Sequence, residues 1–342
     1  MSEPSCHALM NTSPNLNPNR FFCTLFDSNY LLKGVVMLKT LALHCPDSFT
    51  YVLCMDEQTH LILEALRLPR VELLRLATVE DADLLRVKPG RSIAEYCWTL
   101  SSAFCWHLMT DKTEIEMLTY LDSDLMFFSN VEPLFDEIGT ASIAIIEHRF
   151  QPRLMHLEVY GRFNVEWVGF RRTEAGLRCL KTWRDQCIDW CFARVENGRL
   201  GDQKYLDSWP TVFPNDLCVL RHKGAGVAPW NFSNYRYSSR EQNIFVDEVP
   251  LIFYHFHQFQ LLTGGRFDYM STSYSAGGPV PMDIYERYVF ELSATLARVR
   301  KIVPGFAGGI RPAGAVVARR TLQRYLPLAL KNWLRRVGIQ VW

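Results

Sequence analysis

Short apolar runs alternate with amphipathic stretches through the first third of the chain. Arg20–Phe26, Phe49–Met55 and Val71–Arg75 are too short for ordinary helices and rich in Phe, Val, Leu and Tyr, so they read as buried strands. Between them, Leu31–His44 and Glu57–Arg67 space their apolar residues at helical intervals. A β-α-β-α-β succession of this kind predicts an α/β fold, Rossmann-like, with a mostly parallel sheet and helices on both faces. Its ligands then sit beyond the carboxyl ends of the strands. Asp27 and Asp56, each just past a strand, fall on that rim.

Further on, 92–109 has helical spacing and many aromatics, as expected of a buried helix. It leads into the run 117–128 (MLTYLDSDLMFF), which carries two carboxylates one residue apart. In an extended chain, residues i and i+2 point to one side, so Asp122 and Asp124 can face a single point with Ser123 between them. Two hard oxygen ligands converging at a strand end suit Mn²⁺ or Mg²⁺ shared with substrate phosphates. The same letters also suit a solvated turn.

The second half supplies less regular pieces. Strands are expected at 141–146 and at Phe163–Phe170, the latter with Asn164 near its start and Glu166 within it, and a long helix over 173–193. The stretch 147–160 has no clean periodicity and reads as a surface loop fit to bind a substrate. At 201–209, Asp202 is placed to cap a short helix from which Gln203 projects. The apolar run 249–257 ends in His255 and His257, two apart and hence on one face of a strand. Either is more often a structural histidine than a ligand, yet they are the best candidates for a further metal ligand. A mobile loop is expected over 271–279, a helix over Met282–Lys301, and a last, basic amphipathic helix over 315–337.

Composition narrows the class. With 48% hydrophobic residues among 342, the chain can bury a large core. Ten scattered cysteines without C-x-x-C pairs fit reduced, buried thiols rather than a disulfide framework or a zinc site. No signal-peptide pattern opens the sequence, which predicts a cytoplasmic protein. The net charge of +1 conceals an asymmetry: from Leu292 onward there are ten Lys or Arg and no Asp or Glu, leaving 27 basic against 36 acidic residues before it. The chain therefore divides into a leader (1–19), a main α/β domain (20–281) and a helical basic extension (282–342). The extension is able to lie on an anionic membrane surface through 311–337, at the inner face of the membrane.

The order of these features, a strand ending in Phe26-Asp27-x-Asn29-Tyr30, a Tyr-Leu-Asp-x-Asp strand, a Phe-Asn-Val strand, a Gly-Asp-Gln helix and a His-Phe-His strand, resembles that of nucleotide-sugar glycosyltransferases of the GT-A fold. Within them it is most similar to family eight and its bacterial relatives, over roughly 20–258. The resemblance implies that Asp122 and Asp124 hold Mn²⁺ (or Mg²⁺) against the donor diphosphate. It makes His255 the third ligand, with His257 as second choice, in a motif where Gln258 replaces the usual glycine. It assigns Leu25, Asp27 and Tyr30 to the nucleoside and Asn164 to the sugar, with Ser123 beside the donor. Asp202 and Gln203 take the place of a pair beside the anomeric carbon. Glu166 stands where glycine is usual, narrowing the donor pocket or bringing a carboxylate near the reaction. Trp98 replaces a basic residue, for which Arg91 is the upstream substitute.

The implied activity is hexosyl transfer from a nucleotide sugar, by family precedent a UDP-sugar, to a glycan or lipid-linked acceptor in surface polysaccharide or glycolipid synthesis. Nucleic acid is not among the expected partners. Retention of configuration follows from the resemblance, by front-face attack unless Glu166 is a nucleophile. The competing readings are a nucleotidyltransferase acting on sugar phosphates, which wants a glycine-rich basic loop after the first strand, and a non-catalytic nucleotide-sugar or glycan-binding module.

Overall fold

The computed structural model describes residues 20–269, 274 and 281–314. In chain order these form β1 (Arg20–Phe26), α1 (Leu31–His44), β2 (Ser48–Cys54), α2 (Glu57–Leu66) and β3 (Val71–Arg75). Two short helices, α3 (Leu76–Val79) and α4 (Ala82–Val87), lead to the long α5 (Ile93–Asp111). Then come β4 (Met117–Leu121), β5 (Leu125–Phe127), α6 (Glu132–Ile138), β6 (Ile143–Glu147), β7 (Phe163–Arg171) and α7 (Glu174–Asp189), followed by α8 (Trp209–Val212) and β8 (Leu217–Leu220). The seven-stranded sheet has the order β3-β2-β1-β4-β7-β6-β8. Six strands share one direction and β7 alone opposes them. This is the mostly parallel α/β sheet that the alternating pattern predicted.

Period-2 alternation divides the core between the two faces. On β1, Phe22 and Phe26 pack with α1, α2 and α6, while Cys23 and Leu25 face α5 and α7. Fully burying each such side chain contributes about 1.5–3 kcal/mol. The helices start where their caps dictate. Asp56 accepts from Thr59 N at α2, Ser92 and Glu95 form a capping box at α5, and Thr173 accepts from Gly176 N at α7.

Beyond β8 a small antiparallel sheet, β9 (Tyr237–Arg240), β10 (Asn243–Val246) and β11 (Val249–Pro250), precedes β12 (Phe253–His255). The expected single strand over 249–257 is thus two short ones. β13 (Gln260–Leu262) and β14 (Arg266–Asp268) follow. The final described helix, α9 (Met282–Ile302), buries Ile284, Tyr285, Tyr288, Leu292 and Val299 in the core that α1 also fills. Residues after it return to the sheet's rim: β15 (Ile310–Arg311) pairs with β13, and Gly308 and Gly309 press on the Ser28 and Asn29 carbonyls, where no Cβ would fit. The leader, the loop over 271–279 apart from Tyr274, and the basic helix over 315–337 lie outside the described residues. No helix among the described residues is long and apolar enough to cross a membrane.

Candidate active site

The aspartate pair converges by a different route from the one expected. β4 ends at Leu121, and Asp122-Ser123-Asp124 turn the chain out of the sheet before β5 begins at Leu125. The diversion happens because β5 finds another partner. It pairs antiparallel with β12, His255 opposite Leu125, and the Phe127 amide donates to Thr40 Oγ1 at 3.1 Å. This two-stranded ladder carries His255 to the turn, where the Phe256 amide donates to the Asp124 carbonyl at 2.9 Å.

His255 is buried, and its Nε2 lies 2.9 Å from Asp124 Oδ1 and 3.8 Å from Asp122 Oδ2. Ligand atoms of all three residues fall within 4.8 Å of one another. Burial opposes charge on the imidazole, but the Asp124 and Glu166 carboxylates more than offset it and hold the ring well above its usual value. Burial pushes the Asp122 carboxyl up to about 7; His255 opposes this, while Asp124 and Glu166 add to it. Asp124 is the reverse case. Despite burial, His255 and Lys33 hold it well below the carboxylate range.

The strand that opposes the others supplies the back of the site. Because β7 runs antiparallel to β4, its start lies at the carboxyl edge, with Trp167 opposite Leu121. A register shift against β6, between Ile145 and Ile146, marks a bulge there. Within it Asn164 Oδ1 accepts from the Glu166 amide at 2.8 Å, and the Glu166 carbonyl accepts from the Asp122 amide at 3.3 Å. The Glu166 side chain has no exposure, and its Oε2 lies 2.5 Å from His255 Nδ1. That position behind the histidine leaves it no surface to offer a sugar.

The other predicted residues distribute around this centre. Tyr30 borders it, its hydroxyl raised by burial and then by Asp124 and Asp122. Asp27 spends its carboxylate on its own turn, accepting from the Asn29 and Tyr30 amides. Leu25 is a core residue facing α5, and Ser123 is buried in the turn between the aspartates. Arg91 is committed elsewhere, donating to Thr99 Oγ1 and to the Ile188 carbonyl, so it ties α5 to the end of α7. Asp202 is buried but does not cap: the 3₁₀ turn Gln203–Ser208 begins without a bond from its side chain. Gln203 Nε2 donates to the Tyr160 carbonyl at 2.9 Å, joining this turn to the end of the 147–160 stretch. That stretch holds a 3₁₀ segment, Pro152–Tyr160, and borders a cavity of about 460 Å³ lined by Glu147, Arg149, Phe150, Met155, Glu158 and Arg162 with Asn234.

His257 lies just past the end of β12, its ring 5.6 Å from that of His255, and both rings make T-shaped contacts with Trp230. Gln258 beside it takes φ +60°, the left-handed conformation that a glycine would favour.

Lys33 escaped the sequence reading. It is buried on α1 with Nζ 3.6 Å from Asp124 Oδ2 and 4.6 Å from the centre of the Tyr30 ring. Gly34 allows α1 to lie this close to β1, since a Cβ there would strike the Phe26 ring. A charged residue and a glycine inside LLKGVVML was the available signal.

No family model matches the chain. It is 34% identical over 298 residues to the uncharacterized protein YfnD of Bacillus subtilis (strain 168), covering 86% of this chain and 96% of that protein. YfnF of the same strain, also uncharacterized, is 28% identical over 295 residues, covering 84% and 96%. Among solved structures, the glycosyltransferase GlyE of Streptococcus pneumoniae TIGR4 superposes with a TM-score of 0.47 at 14% identity, over 83% of this chain and 63% of that one.

Proposed function

This chain belongs to the family of Bacillus subtilis YfnD, and we propose that it is a metal-dependent glycosyltransferase of the GT-A type. The observation that carries the reading is the meeting of Asp122, Asp124 and His255 at the carboxyl edge of a mostly parallel sheet. Two carboxylates and one imidazole suit Mn²⁺ or Mg²⁺ and leave positions for phosphate oxygens. The surroundings fit such an ion: several buried acids crowd one point, Asp122 is pushed up to about 7 there by burial and its acidic neighbours, and Glu166 Oε1 has no partner among the described residues. A divalent ion held there supplies charge that offsets what develops on a leaving diphosphate.

The remaining roles are those of this chain's own groups. Asn164, Asp202 and Gln203 hold the donor sugar, while Ser123 and Tyr30, the latter on a turn that Asp27 fixes through its bonds to the Asn29 and Tyr30 amides, hold the nucleotide of a UDP-sugar. Lys33 adds a cation facing the same point. The acceptor, a glycan or lipid-linked sugar of surface polysaccharide or glycolipid synthesis, enters by the cavity at 147–162. Transfer proceeds with retention, read from the anomer of the product. The basic segment 311–337 brings the enzyme to the inner face of the membrane; absence of binding to anionic liposomes would remove that part.

The test is a thermal-shift screen of UDP-, GDP- and dTDP-sugars with and without Mn²⁺. A ligand that binds only the native state raises the midpoint. One nucleotide sugar is expected to raise it by several degrees with Mn²⁺ present and far less without. A midpoint unmoved by Mn²⁺ and by every donor would overturn the reading.

A further inference from the structure

A carboxylate with no exposure, one oxygen bonded to a histidine and the other without a partner among the described residues, is an unusual thing to bury, since an uncompensated charge there costs several kcal/mol. The geometry points to Glu166 as a positioning residue for the metal: it fixes the ring of His255 so that Nε2, and not Nδ1, faces Asp122 and Asp124. The inference rests on the metal reading above. It assigns this chain's departure from glycine at 166 a task distinct from nucleophilic attack.

Three observations converge. Glu166 Oε2 is 2.5 Å from Nδ1, so the carboxylate accepts the Nδ1 proton, and Nε2 becomes the ligating nitrogen when an ion displaces the proton that Nε2 otherwise donates to Asp124 Oδ1. The Nε2 edge then lies 2.9 Å from Asp124 Oδ1 and 3.8 Å from Asp122 Oδ2, which sets three ligand atoms round one point. The Glu166 backbone is itself held on both sides, its amide by Asn164 Oδ1 and its carbonyl by the Asp122 amide, so ligand and support are fastened to each other. Space is kept for the second oxygen by Gly226, at φ +64°, where a Cβ would come within 2.8 Å of Oε1. A carboxylate behind a ligating imidazole orients the ring and raises its basicity, and losing such a partner typically weakens metal binding about 10–100-fold.

Because Asn164 is bound to the Glu166 amide, its side-chain oxygen is occupied by the same support. The metal centre and the sugar-facing start of β7 are therefore one hydrogen-bonded unit.

The experiment titrates MnCl₂ alone into the full-length protein by calorimetry, without donor, for wild type, Glu166→Gln, Glu166→Leu, His255→Ala and the Glu166→Leu/His255→Ala pair. Thermal midpoints are measured on the same metal-free samples. Expected are a loss of about 10–100-fold in Mn²⁺ affinity for Glu166→Leu, a smaller loss for Glu166→Gln, whose amide oxygen still accepts from Nδ1, and no further loss when Glu166→Leu is added to His255→Ala. Equal affinity of wild type and a folded Glu166→Leu would overturn the inference while leaving the metal reading intact. So would an equal loss in the His255→Ala background, which shows that Glu166 does not act through the histidine. Should Glu166→Leu not fold, the same comparison with Glu166→Gln decides. A wild type that takes up no Mn²⁺ sinks the metal reading itself.

Discussion

At the amino edge of the central sheet, the arginines are spent close to home. Arg20 makes a two-pronged ion pair with Glu132, Arg171 donates to the Ala141 and Gly139 carbonyls, and Arg172 donates to those of Ile115, Met109 and Lys112. Each tightens a helix end or a strand start. At the carboxyl edge the balance is different: Asp122, Asp124 and Glu166 gather at His255, with Lys33 beside Asp124, and two acids of this edge, Asp122 and Asp202, are driven up to about 7, by burial above all. One strand, β7, joins the two edges, with Glu166 near its start and Arg171 at its end. Structural and functional polarity part company between these two edges. Satisfied charges hold a fold together; buried charges left in conflict mark where a ligand is to be supplied.

The largest effect should come from Asp122→Asn. It removes one of the three proposed metal ligands and also relieves the repulsion that raises Asp122. Turnover of the donor found by screening is expected to fall about a thousandfold, while the metal-free thermal midpoint at pH 8 stays at or above that of wild type. A matching collapse of both would mean that the carboxyl edge is as structural as the amino edge, and the contrast would be lost.

Arg172→Ala is the converse. Three charged hydrogen bonds to carbonyls vanish, and non-additive losses of this kind sum to about 3 kcal/mol. Denaturant unfolding should show that loss, with KM for the donor and Mn²⁺ affinity unchanged. A change in either would show that the amino edge communicates with the site along β7.

Much of this contrast was legible in the sequence, unevenly. The parallel half was readable because its signals are local: α1 begins and ends at Leu31 and His44 as the spacing indicates, and β3 is Val71–Arg75 in both readings. The Asp-x-Asp pair was readable as chemistry but not as geometry, since a turn rather than a strand makes the carboxylates converge. The ladder of β5 with β12 joins residues more than a hundred positions apart, so no local pattern reveals it. That same pairing is what brings His255 to Asp124: His255 is the last residue of β12 and faces Leu125, whereas His257 lies past it. The bond from Glu166 to His255 and the reach of Lys33 to Asp124 are likewise products of packing. The sequence could place each residue on an element, but not which charges would share one buried point.

The smallest and most diagnostic effect concerns Asp202. Its carboxyl is pushed up to about 7, first by burial and then by the Asp122 charge, against an ordinary value near 3.8. A native value above the unfolded one means that the folded form binds the proton more tightly. Its contribution therefore favours folding fully below about pH 4 and is lost progressively as pH rises to about 7, at about 1.4 kcal/mol per pH unit while only the native form keeps its proton. Metal-free wild type should accordingly lose stability between pH 5 and 7, on the order of 2 kcal/mol of it through Asp202, and Asp202→Asn should lose less. Asp122 titrates in the same window, so the sharper measurement compares the slopes for wild type, Asp202→Asn, Asp122→Asn and both together. If the two acids repel through the site, either single change relaxes the other residue's shift, and the double variant flattens the slope by less than the two single effects added. Strict additivity would place Asp202 in a pocket of its own, remote from the carboxylates that gather at His255.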